Sequence, residues 1–318
     1  MIGIGIDIGG TFVKFFVTRE DGTVLKQEKV ETDKSQGMDG FIRQMAAFIN
    51  QIKNQFAPEP VVVGIGAPGD VDPINGLLRY MPNLQFKGTF PWPLADQLEQ
   101  ATAIRPIIAN DATLAAWGVY QKDLNCQGKN VLVVTLGTGV GGGLILNGQL
   151  YQGSHGSAGE IGHVKISDSL NAPLCGCGAQ GCLEAYAGTI GIRRRILESV
   201  QNCPNSILAK LVKEHPNFKL DIAFKAAQQG CAQALKIWQD TGHYLGIGIA
   251  NFALILDMDT VVLTGGVSGA FDFFKDALFE VLNKQSIRTP FAHLQIKTSQ
   301  TPNVGGLGAA LYALNQFR

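Results

Sequence analysis

The sequence predicts an α/β fold with an internal duplication, and three observations lead to that prediction. Short apolar segments typical of strands alternate with amphipathic segments typical of helices along the 318 residues. A hydrophobic content of 46% is enough for sizeable cores in two domains or one large bilobal unit. The order strand, Gly/Thr turn, strand and hairpin occurs around residues 2–30 and again around 131–151, which indicates two related halves.

The first half begins with predicted strands. Ile alternates with Gly or Asp over residues 2–8, and this period of two predicts a strand with one packed face. Two more strands are predicted over 12–17 and 23–30, because an Asp-Gly turn typical of hairpins joins them. Apolar residues then recur every three or four positions over 39–56, which predicts an amphipathic helix.

Buried strands and further helices follow. Continuous apolar runs predict strands covered on both faces, at residues 61–65, 131–136 and 261–264, with short strands at 107–109 and 144–146. Helical composition is found over residues 112–120, most of 186–256, and 305–314.

The charge balance argues against several classes of partner. Lys plus Arg and Asp plus Glu number 26 each, so the chain has no net field to attract nucleic acid or an anionic membrane. The run Arg193-Arg194-Arg195 is predicted to be a solvated helix face. The sequence has neither a basic leader nor an apolar run of about 20 residues. We therefore expect a cytoplasmic protein with a small-molecule ligand.

The segment between residues 160 and 184 carries the most specific pattern in the chain. His163, Cys175, Cys177 and Cys182 lie within 20 residues and are interspersed with glycines. Four nitrogen and sulfur ligands satisfy the tetrahedral preference of Zn²⁺ and leave no open position for water, which predicts a structural site. The alternative is a core histidine with three buried thiols. A segment so rich in glycine and cysteine does not suit a packed helix or strand, so zinc is favoured.

Two Gly/Thr turns, each at the end of a strand, indicate a polyphosphate site. Glycines let backbone N–H groups approach phosphate closely, and threonine hydroxyls donate to its oxygens. Asp7 directly precedes the first turn and suits Mg²⁺, either directly or through water. Either turn alone could serve a purely conformational role. Neither turn matches the Walker or the dinucleotide pattern. The turns contain Gly9, Gly10 and Thr11, and Gly137, Thr138 and Gly139.

Two other strand ends are also candidate sites. The loop 66–70 follows a buried strand, and Asn110-Asp111 lies between a strand and a helix. Asn and Asp at such a position are typical N-caps, and that role is compatible with a place in a binding site.

Four motifs together resemble the ROK family of sugar kinases and sugar-responsive repressors, and the resemblance covers essentially the whole chain. They are Asp7-Ile8-Gly9-Gly10-Thr11, the segment 137–143, Glu160-Ile161-Gly162-His163, and the segment 175–184. The resemblance implies a two-lobed, actin-like and hexokinase-like (ribonuclease H-like) α/β fold with ATP and sugar bound between the lobes. It implies a small lobe of residues 1–111 plus 301–318, and a large lobe of 112–300 that contains the zinc knuckle at 163–182.

The resemblance also implies residue roles on the matching positions. Asp111 is expected to be the catalytic base. Sugar contacts are expected from Gly69, Asn83, Asn110, Asp111, Gly139, Glu160, His163 and Glu184. Nucleotide or Mg²⁺ contacts are expected from Asp7, Gly9, Gly10, Thr11, Gly137, Thr138, Gly139, Gly265 and Gly266. Zn²⁺ is expected on His163, Cys175, Cys177 and Cys182.

The resemblance implies an ATP-dependent kinase that acts on the 6-hydroxyl of a hexose. Ala67-Pro68-Gly69 and Met81-Pro82-Asn83-Leu84 resemble the loops of glucokinase-type members, so glucose is the expected substrate. N-acetylmannosamine or N-acetylglucosamine kinase is the alternative, followed by fructose and allose kinases. A repressor of the family is disfavoured because the first strand begins at Ile2, without room for a helix-turn-helix before it. A homodimer is also expected.

Overall fold

The structure is a computed structural model that describes residues 1–33, 35–81, 89–299 and 301–317. The chain divides into two compact units. The first comprises residues 1–129, 143–159 and 300–318, and the second comprises 130–142 and 160–299. Segments 112–129 and 143–159 therefore group with the first unit, whereas the family resemblance implied that they belong to the large lobe.

Groups of strands and groups of helices follow one another along the chain, as expected of an α/β fold. In the described residues the strands are β1 Ile2–Ile8, β2 Phe12–Arg19, β3 Val24–Glu31, β4 Val61–Ala67, β5 Asp70–Asp72, β6 Leu77–Tyr80, β7 Ile107–Asn110, β8 Val131–Leu136, β9 Val140–Leu146, β10 Gln149–Tyr151, β11 Thr260–Thr264 and β12 Gln295–Thr298. The helices are α1 Gly37–Gln55, α2 Leu94–Thr102, α3 Asp111–Lys122, α4 Glu184–Ala187, α5 Thr189–Asn202, α6 Ile207–Glu214, α7 Asp221–Gln228, α8 Ala232–Leu256, α9 Phe271–Asn283, α10 Thr289–Ala292 and α11 Val304–Gln316, with short 3-10 helices at Ile161–His163 and Gly266–Ala270.

Two sheets share one strand order, and this confirms the predicted duplication of topology. The first sheet has the order β3-β2-β1-β4-β7, and the second has the order β10-β9-β8-β11-β12. In the first sheet β1, β4 and β7 run parallel, while β2 and β3 form the antiparallel hairpin predicted from the sequence. In the second sheet β8, β11 and β12 run parallel, and β9 pairs with β10 as a hairpin.

The predicted strand β1 is present, but the prediction that only one of its faces is packed was wrong. Its isoleucines are fully buried, and Gly3 and Gly5 on the opposite face are buried too. A Cβ atom on Gly5 would overlap the carbonyl oxygen of Gly306 and lie 2.7 Å from the backbone nitrogen of Ala310. The glycines of β1 therefore face helix α11 rather than solvent, because only a residue without a side chain admits a helix backbone this close.

Replacing Gly5 with Ala should destabilise the first unit, because α11 must move away from β1. We expect a loss of about 1–3 kcal/mol in the free energy of unfolding, the usual range for overpacking a dense core. Urea denaturation followed by circular dichroism measures it. Gly269→Ala is the matched control, since no atom lies within 4 Å of its added Cβ. Equal urea midpoints for the two variants would contradict this account of the packing.

The prediction that the arginine run on α5 is a solvated face was wrong. All three side chains are half-buried. The Arg193 guanidinium lies 4.0 Å from the ring centroid of Phe218, and Arg195 donates a hydrogen bond of 2.7 Å to the hydroxyl of Thr241. Burial lowers the pKa of Arg195. Long arginine side chains can cover apolar surface with their aliphatic part while the guanidinium keeps polar contacts, and the arginines of this run are buried in that way.

Within residues 1–33, 35–81, 89–299 and 301–317, no helix has both the length and the apolar character needed to cross a bilayer.

Candidate functional site

The parallel strands of the first sheet end in polar residues at one common edge. Asp7 on β1 is in register with Gly66 on β4, and Gly66 is in register with Ala109 on β7. Asn110 and Asp111 follow Ala109 directly. This register places Asp7 and Asp111 at the same edge of the sheet, with β4 between them. Neighbouring strands lie about 4.8 Å apart. The carboxyl ends of parallel strands are the usual location of ligand sites in α/β proteins.

Gly66 gives Asp111 its position. A Cβ on Gly66 would lie 3.4 Å from the Cα atom of Asp111, so the glycine allows the start of α3 to pack closely over β4. Asp111 Oδ1 accepts a hydrogen bond of 2.8 Å from the backbone N–H of Ala112. The carboxylate therefore lies in the first turn of a 12-residue helix, where the helix dipole favours negative charge.

Asn110 is the N-cap of α3, which confirms the capping interpretation. Its Oδ1 accepts hydrogen bonds from the backbone N–H groups of Ala112, at 2.9 Å, and Thr113, at 3.3 Å. Its Nδ2 donates to the carbonyl oxygen of Gly69 at 3.2 Å. Asn110 thus joins the end of β7 to the loop after β4, while Nδ2 keeps a second N–H.

Asp7 on β1 lies close to groups from two other elements of the first unit, β2 and α11. Lys14 Nζ is 3.3 Å from Asp7 Oδ2, since the two residues are paired across β1 and β2. A Cβ on Gly305, in the first turn of α11, would lie 3.5 Å from Asp7 Cγ. Lys14 was not selected from the sequence. The signal was available, because the strands predicted over 2–8 and 12–17 are joined by a short glycine turn and can therefore pair in antiparallel register.

The first glycine turn is tightly closed. Gly9 N–H donates to the carbonyl oxygen of Phe12 at 3.0 Å, and Thr32 Oγ1 donates to that of Gly9 at 2.8 Å. Thr32 N–H donates to the carbonyl oxygen of Thr11 at 2.9 Å, while the side chain of Thr11 is exposed. Thr32, the residue directly after β3, thereby fixes the turn through two hydrogen bonds.

The second glycine turn lies in the second unit and is also supported by other segments. Gly137 N–H donates to the carbonyl oxygen of Gly139 at 3.0 Å. Thr189 donates twice to the carbonyl oxygen of Gly137, from Oγ1 at 2.6 Å and from its backbone N–H at 3.1 Å. A Cβ on Gly265 would overlap the carbonyl oxygen of Leu136. Gly265 therefore lies next to Leu136, the last residue of β8, and the second glycine turn follows Leu136 directly.

His163, Cys175, Cys177 and Cys182 form one cluster, as predicted, with ligand atoms all within 4.8 Å of one another. Cys175 Sγ is 3.6 Å from His163 Nδ1, and Cys177 Sγ is 3.8 Å from Cys182 Sγ. For tetrahedral Zn²⁺ with Zn–S of about 2.3 Å and Zn–N of about 2.05 Å, simple geometry requires S–S of about 3.8 Å and S–N of about 3.6 Å. The donor set and both distances fit zinc.

The thiols of this cluster differ in the direction in which their pKa values are shifted. Burial raises the pKa of Cys175 to about 12 and also raises the pKa of Cys182. The backbone N–H of Ala179 lowers the pKa of Cys177. Buried thiolates need a nearby cation, so the cluster gains its full ligand charge only with a metal present. All six cysteines of the chain are free of disulfide bonds.

Glu184 contacts both the second glycine turn and the cluster of His163, Cys175, Cys177 and Cys182, which is called the thiol cluster below. Its Oε1 is 3.5 Å from Cys175 Sγ, and its Oε2 accepts a hydrogen bond of 3.0 Å from the backbone N–H of Val140. A Cβ on Gly139 would overlap Glu184 Oε2. Glycine at 139 is therefore needed for the close approach of this carboxylate.

His163 presents its two ring nitrogens to different partners. Nδ1 faces Cys175, and Nε2 is 3.8 Å from Glu160 Oε2. The 3-10 helix that carries His163 packs against the second glycine turn, because a Cβ on Gly162 would overlap the carbonyl oxygen of Val140. Nε2, the ring nitrogen that does not face Cys175, is thus directed toward the half-exposed carboxylate of Glu160.

The predicted site residues fall into two groups, one in each unit. The first unit brings together the ends of β1, β4 and β7, with Asp7, the first glycine turn, Gly69, Asn110 and Asp111. The second unit brings together the second glycine turn, Glu160, the thiol cluster, Glu184, Gly265 and Gly266. Asn83 lies outside the described residues. Thr189 was missed, since it is 52 positions from Gly137 and has no motif of its own.

The duplicated sheets, the glycine turns and the carboxylates at the strand ends define a class of two-unit α/β proteins with candidate ligand sites at the carboxyl ends of their strands. The ROK family model matches residues 3–316, and the chain therefore belongs to the ROK family.

The relatives of this chain include glucokinases and N-acetylmannosamine kinases. A glucokinase of Halalkalibacterium halodurans is 35% identical over 85% of this chain and 81% of its own length. An N-acetylmannosamine kinase of Yersinia pestis is 29% identical over 98% of both chains. A crystal structure of a ROK family glucokinase from Streptomyces griseus, in complex with glucose and AMPPNP, is 30% identical. It superposes with a TM-score of 0.80 over 99% of this chain and 100% of that one.

Proposed function

We propose that this chain is an ATP-dependent sugar kinase that transfers the γ-phosphoryl group of Mg-ATP to the 6-hydroxyl of a hexose, with glucose as the leading acceptor. The observation that carries the proposal is the common edge of β1, β4 and β7, where Asp7 and Asp111 stand on either side of Gly66. One carboxylate suits a metal–phosphate group, and the other suits a proton acceptor. The glucokinases that are about a third identical to this chain support the choice of acceptor.

In this proposal Asp111 is the general base. A sugar hydroxyl is a poor nucleophile, and a carboxylate can orient it and take its proton during phosphoryl transfer. The remaining catalysis of phosphoryl transfer is mostly positioning and charge stabilisation. Mg²⁺ would neutralise phosphate charge, and Asp7 is the carboxylate that would hold it, directly or through water.

The glycine turns are the proposed phosphate-binding segments. Their backbone N–H groups and threonine hydroxyls are the donors that phosphate oxygens require. The proposed residues of the first turn are Gly9, Gly10 and Thr11, and those of the second are Gly137, Thr138 and Gly139. Gly265 and Gly266 are proposed to contact the adenosine, and the approach of Gly265 to Leu136 supports a place near the second turn.

The proposed sugar-binding residues supply donors and acceptors for a polyhydroxylated ring. Asn110 has one amide N–H beyond the one that bonds Gly69. From the first unit we propose Gly69, Asn83, Asn110 and Asp111, and from the second unit Gly139, Glu160, His163 and Glu184.

Zn²⁺ is proposed as a structural ion on His163, Cys175, Cys177 and Cys182. The distances calculated above for a tetrahedral ion support this proposal. A zinc-bound Nδ1 would place the ring proton of His163 on Nε2, which could then donate to Glu160 or to a sugar hydroxyl. Three reduced thiols also agree with a cytoplasmic location. A homodimer remains an expectation that light scattering can test.

N-acetylmannosamine kinase is the second candidate, because the Yersinia pestis kinase aligns over 98% of both chains. A coupled assay with Mg-ATP across glucose, N-acetylmannosamine, N-acetylglucosamine, fructose and allose separates the candidates. We expect the highest kcat/KM for glucose. A higher value for an N-acetylhexosamine would select the alternative, and no turnover with any sugar would refute the kinase proposal. A gel shift with DNA tests the repressor class.

Replacing Thr189 with Val should weaken nucleotide binding. The change removes the 2.6 Å hydrogen bond that holds Gly137, although the backbone N–H bond remains. One neutral hydrogen bond contributes about 1 kcal/mol, so we expect KM for ATP to rise about 5-fold. Steady-state kinetics at saturating sugar measure the change. Thr189→Ser keeps the hydroxyl and is the matched control. An unchanged KM in Thr189→Val would contradict the support assigned to this residue.

A further inference from the structure

Arg79 on β6 connects strand β5 with the loop that follows β10. Its Nη1 donates hydrogen bonds to Asp70 Oδ1 at 3.0 Å and to the carbonyl oxygen of His155 at 3.1 Å. Its Nη2 lies 2.9 Å from Asp72 Oδ2. The side chain is 33% exposed, so the guanidinium is confined among these acceptors and does not extend into solvent.

Asp70 places this contact next to a loop that is proposed to bind sugar. Asp70 is the first residue of β5, and only Pro68 and Gly69 separate it from the end of β4. These two residues are called the Gly69 loop below. The carbonyl oxygen of Gly69 accepts the hydrogen bond of 3.2 Å from Asn110, and Gly69 has a φ of 95°, which favours glycine. Asn110 and Arg79 therefore hold the chain at two adjacent residues.

We propose that Arg79 is a positioning residue of the hexose site. It fixes the Gly69 loop through Asp70, so that Gly69 and the amide of Asn110 keep the geometry in which they contact sugar hydroxyls. Small displacements of such groups lower affinity and rate strongly. The inference rests on the proposed kinase function, in which Gly69 and Asn110 bind the sugar. In this role Arg79 acts through Asp70 and not on the substrate itself.

The charges on β5 explain why the loop depends on Arg79. The strand begins and ends with a carboxylate, at Asp70 and Asp72, and the guanidinium pairs with both. Without the cation these like charges would repel each other. A planar guanidinium serves two carboxylates through two different nitrogen atoms, whereas a lysine ammonium is a single point charge. Lysine at position 79 should therefore replace arginine only in part.

The turn between β5 and β6 has its own support, so loss of Arg79 should loosen the Gly69 loop without unfolding the hairpin. Asp72 Oδ1 accepts the backbone N–H groups of Ile74 and Asn75, each at 3.1 Å, and Asp72 Oδ2 accepts from Asn75 Nδ2 at 3.0 Å. The side chain of Asp72 is 10% exposed, whereas that of Asp70 is 47% exposed. Asp70 is thus the less constrained of the two carboxylates.

The loop after β10 gives the guanidinium a fixed anchor outside the hairpin. The acceptor there is the backbone carbonyl oxygen of His155. The next residue, Gly156, packs closely on the hairpin, because a Cβ on it would overlap Pro73 Cδ and lie 2.9 Å from the carbonyl oxygen of Val71. This backbone contact keeps the His155 acceptor beside β5, and Arg79 is thereby held at Asp70.

Arg105 provides a matched control in the same unit. Its Nη1 donates to Asp96 at 2.6 Å and to Glu99 at 2.8 Å, and its Nη2 donates to the carbonyl oxygen of Asn75 at 3.3 Å. Like Arg79, it joins two carboxylates and one backbone carbonyl group. It contacts the turn of the hairpin but not Asp70. A general effect of losing a bridging arginine would appear at both positions, whereas an effect on the sugar site would appear at Arg79 alone.

Steady-state kinetics with glucose and Mg-ATP test the proposal. Arg79→Met should raise KM for glucose about 5-fold or more, while kcat and KM for Mg-ATP stay within about 2-fold of the wild type. Arg79→Lys should lie between the two, and Arg105→Met should match the wild type. A wild-type KM for glucose in Arg79→Met would overturn the proposal. So would an equal rise in the KM for Mg-ATP, because the effect would then not be specific to the sugar site.

A double-mutant cycle tests whether Arg79 acts through Asp70. Asp70→Asn alone should also raise KM for glucose, and adding Arg79→Met to it should change KM by less than about 2-fold, because the contact is already weakened. Fully multiplicative effects would refute the coupling. If Arg79→Met does not fold, Asp70→Asn decides the question, since an unchanged KM for glucose in that variant contradicts the proposal. A wild type that phosphorylates none of the five sugars would instead refute the kinase function, so the two failures are distinguishable.

Discussion

Replacing Asp111 with Asn should lower kcat for ATP-dependent sugar phosphorylation about 10³-fold, within the range attributed to general base catalysis. The amide cannot accept the hydroxyl proton, but its oxygen can still accept the N–H of Ala112 as the carboxylate does. We therefore expect KM for ATP and the melting temperature to change little. Stopped coupled assays with high enzyme concentration measure the residual rate, and calorimetry measures the melting temperature.

Asp221→Asn is the matched control for this change. Asp221 is the first residue of α7, as Asp111 is the first residue of α3, and it forms an exposed ion pair with Lys225. Both variants remove one negative charge from a helix N-terminus, but only Asp111 lies at the common edge of the parallel strands. If both variants kept wild-type kcat, Asp111 would not be the base. If Asp111→Asn lost activity and also unfolded, its effect would be structural.

The positions of the strands were predictable, because they depend on the local alternation of residue types. What packs against each face of a strand was not predictable. Alternating Ile and Gly predicted β1 correctly, yet glycine has no side chain to indicate what lies above it. The face of Gly5 could have been solvent or a helix backbone, and α11 comes from about 300 residues further along the chain. A long-range contact of this kind leaves no local signal in a single sequence.

The candidate site shows the same division between local and distant information. The four residues of the thiol cluster are close in sequence, so their spacing alone predicted their assembly. Asn110 was correctly interpreted as a cap because capping depends on the adjacent helix. The support that Thr189 gives to Gly137 was not predicted, because it depends on the packing of α5.

Replacing Cys175 with Ser should remove zinc and strongly destabilise the second unit. Binding of a structural metal adds directly to folding free energy, and three remaining ligands cannot complete the tetrahedron. We expect the zinc content to fall from about one ion per chain to near zero. A loss of roughly 4 kcal/mol would lower the melting temperature by about 10 °C in a unit of this size. Elemental analysis by mass spectrometry and differential scanning calorimetry give the two values.

The control for the zinc prediction is another buried thiol. Cys231 is buried like Cys175 but lies outside the cluster, at the start of α8, where Ser is a favourable N-cap. Cys231→Ser should therefore keep its zinc and melt within a few degrees of the wild type. Cys175 also lies 3.5 Å from Glu184, whose other oxygen holds the N–H of Val140. Loss of the metal should thus raise KM for ATP through the second glycine turn as well as KM for sugar through His163. Wild-type protein without zinc, or a Cys175→Ser variant that retains it, would refute the metal assignment.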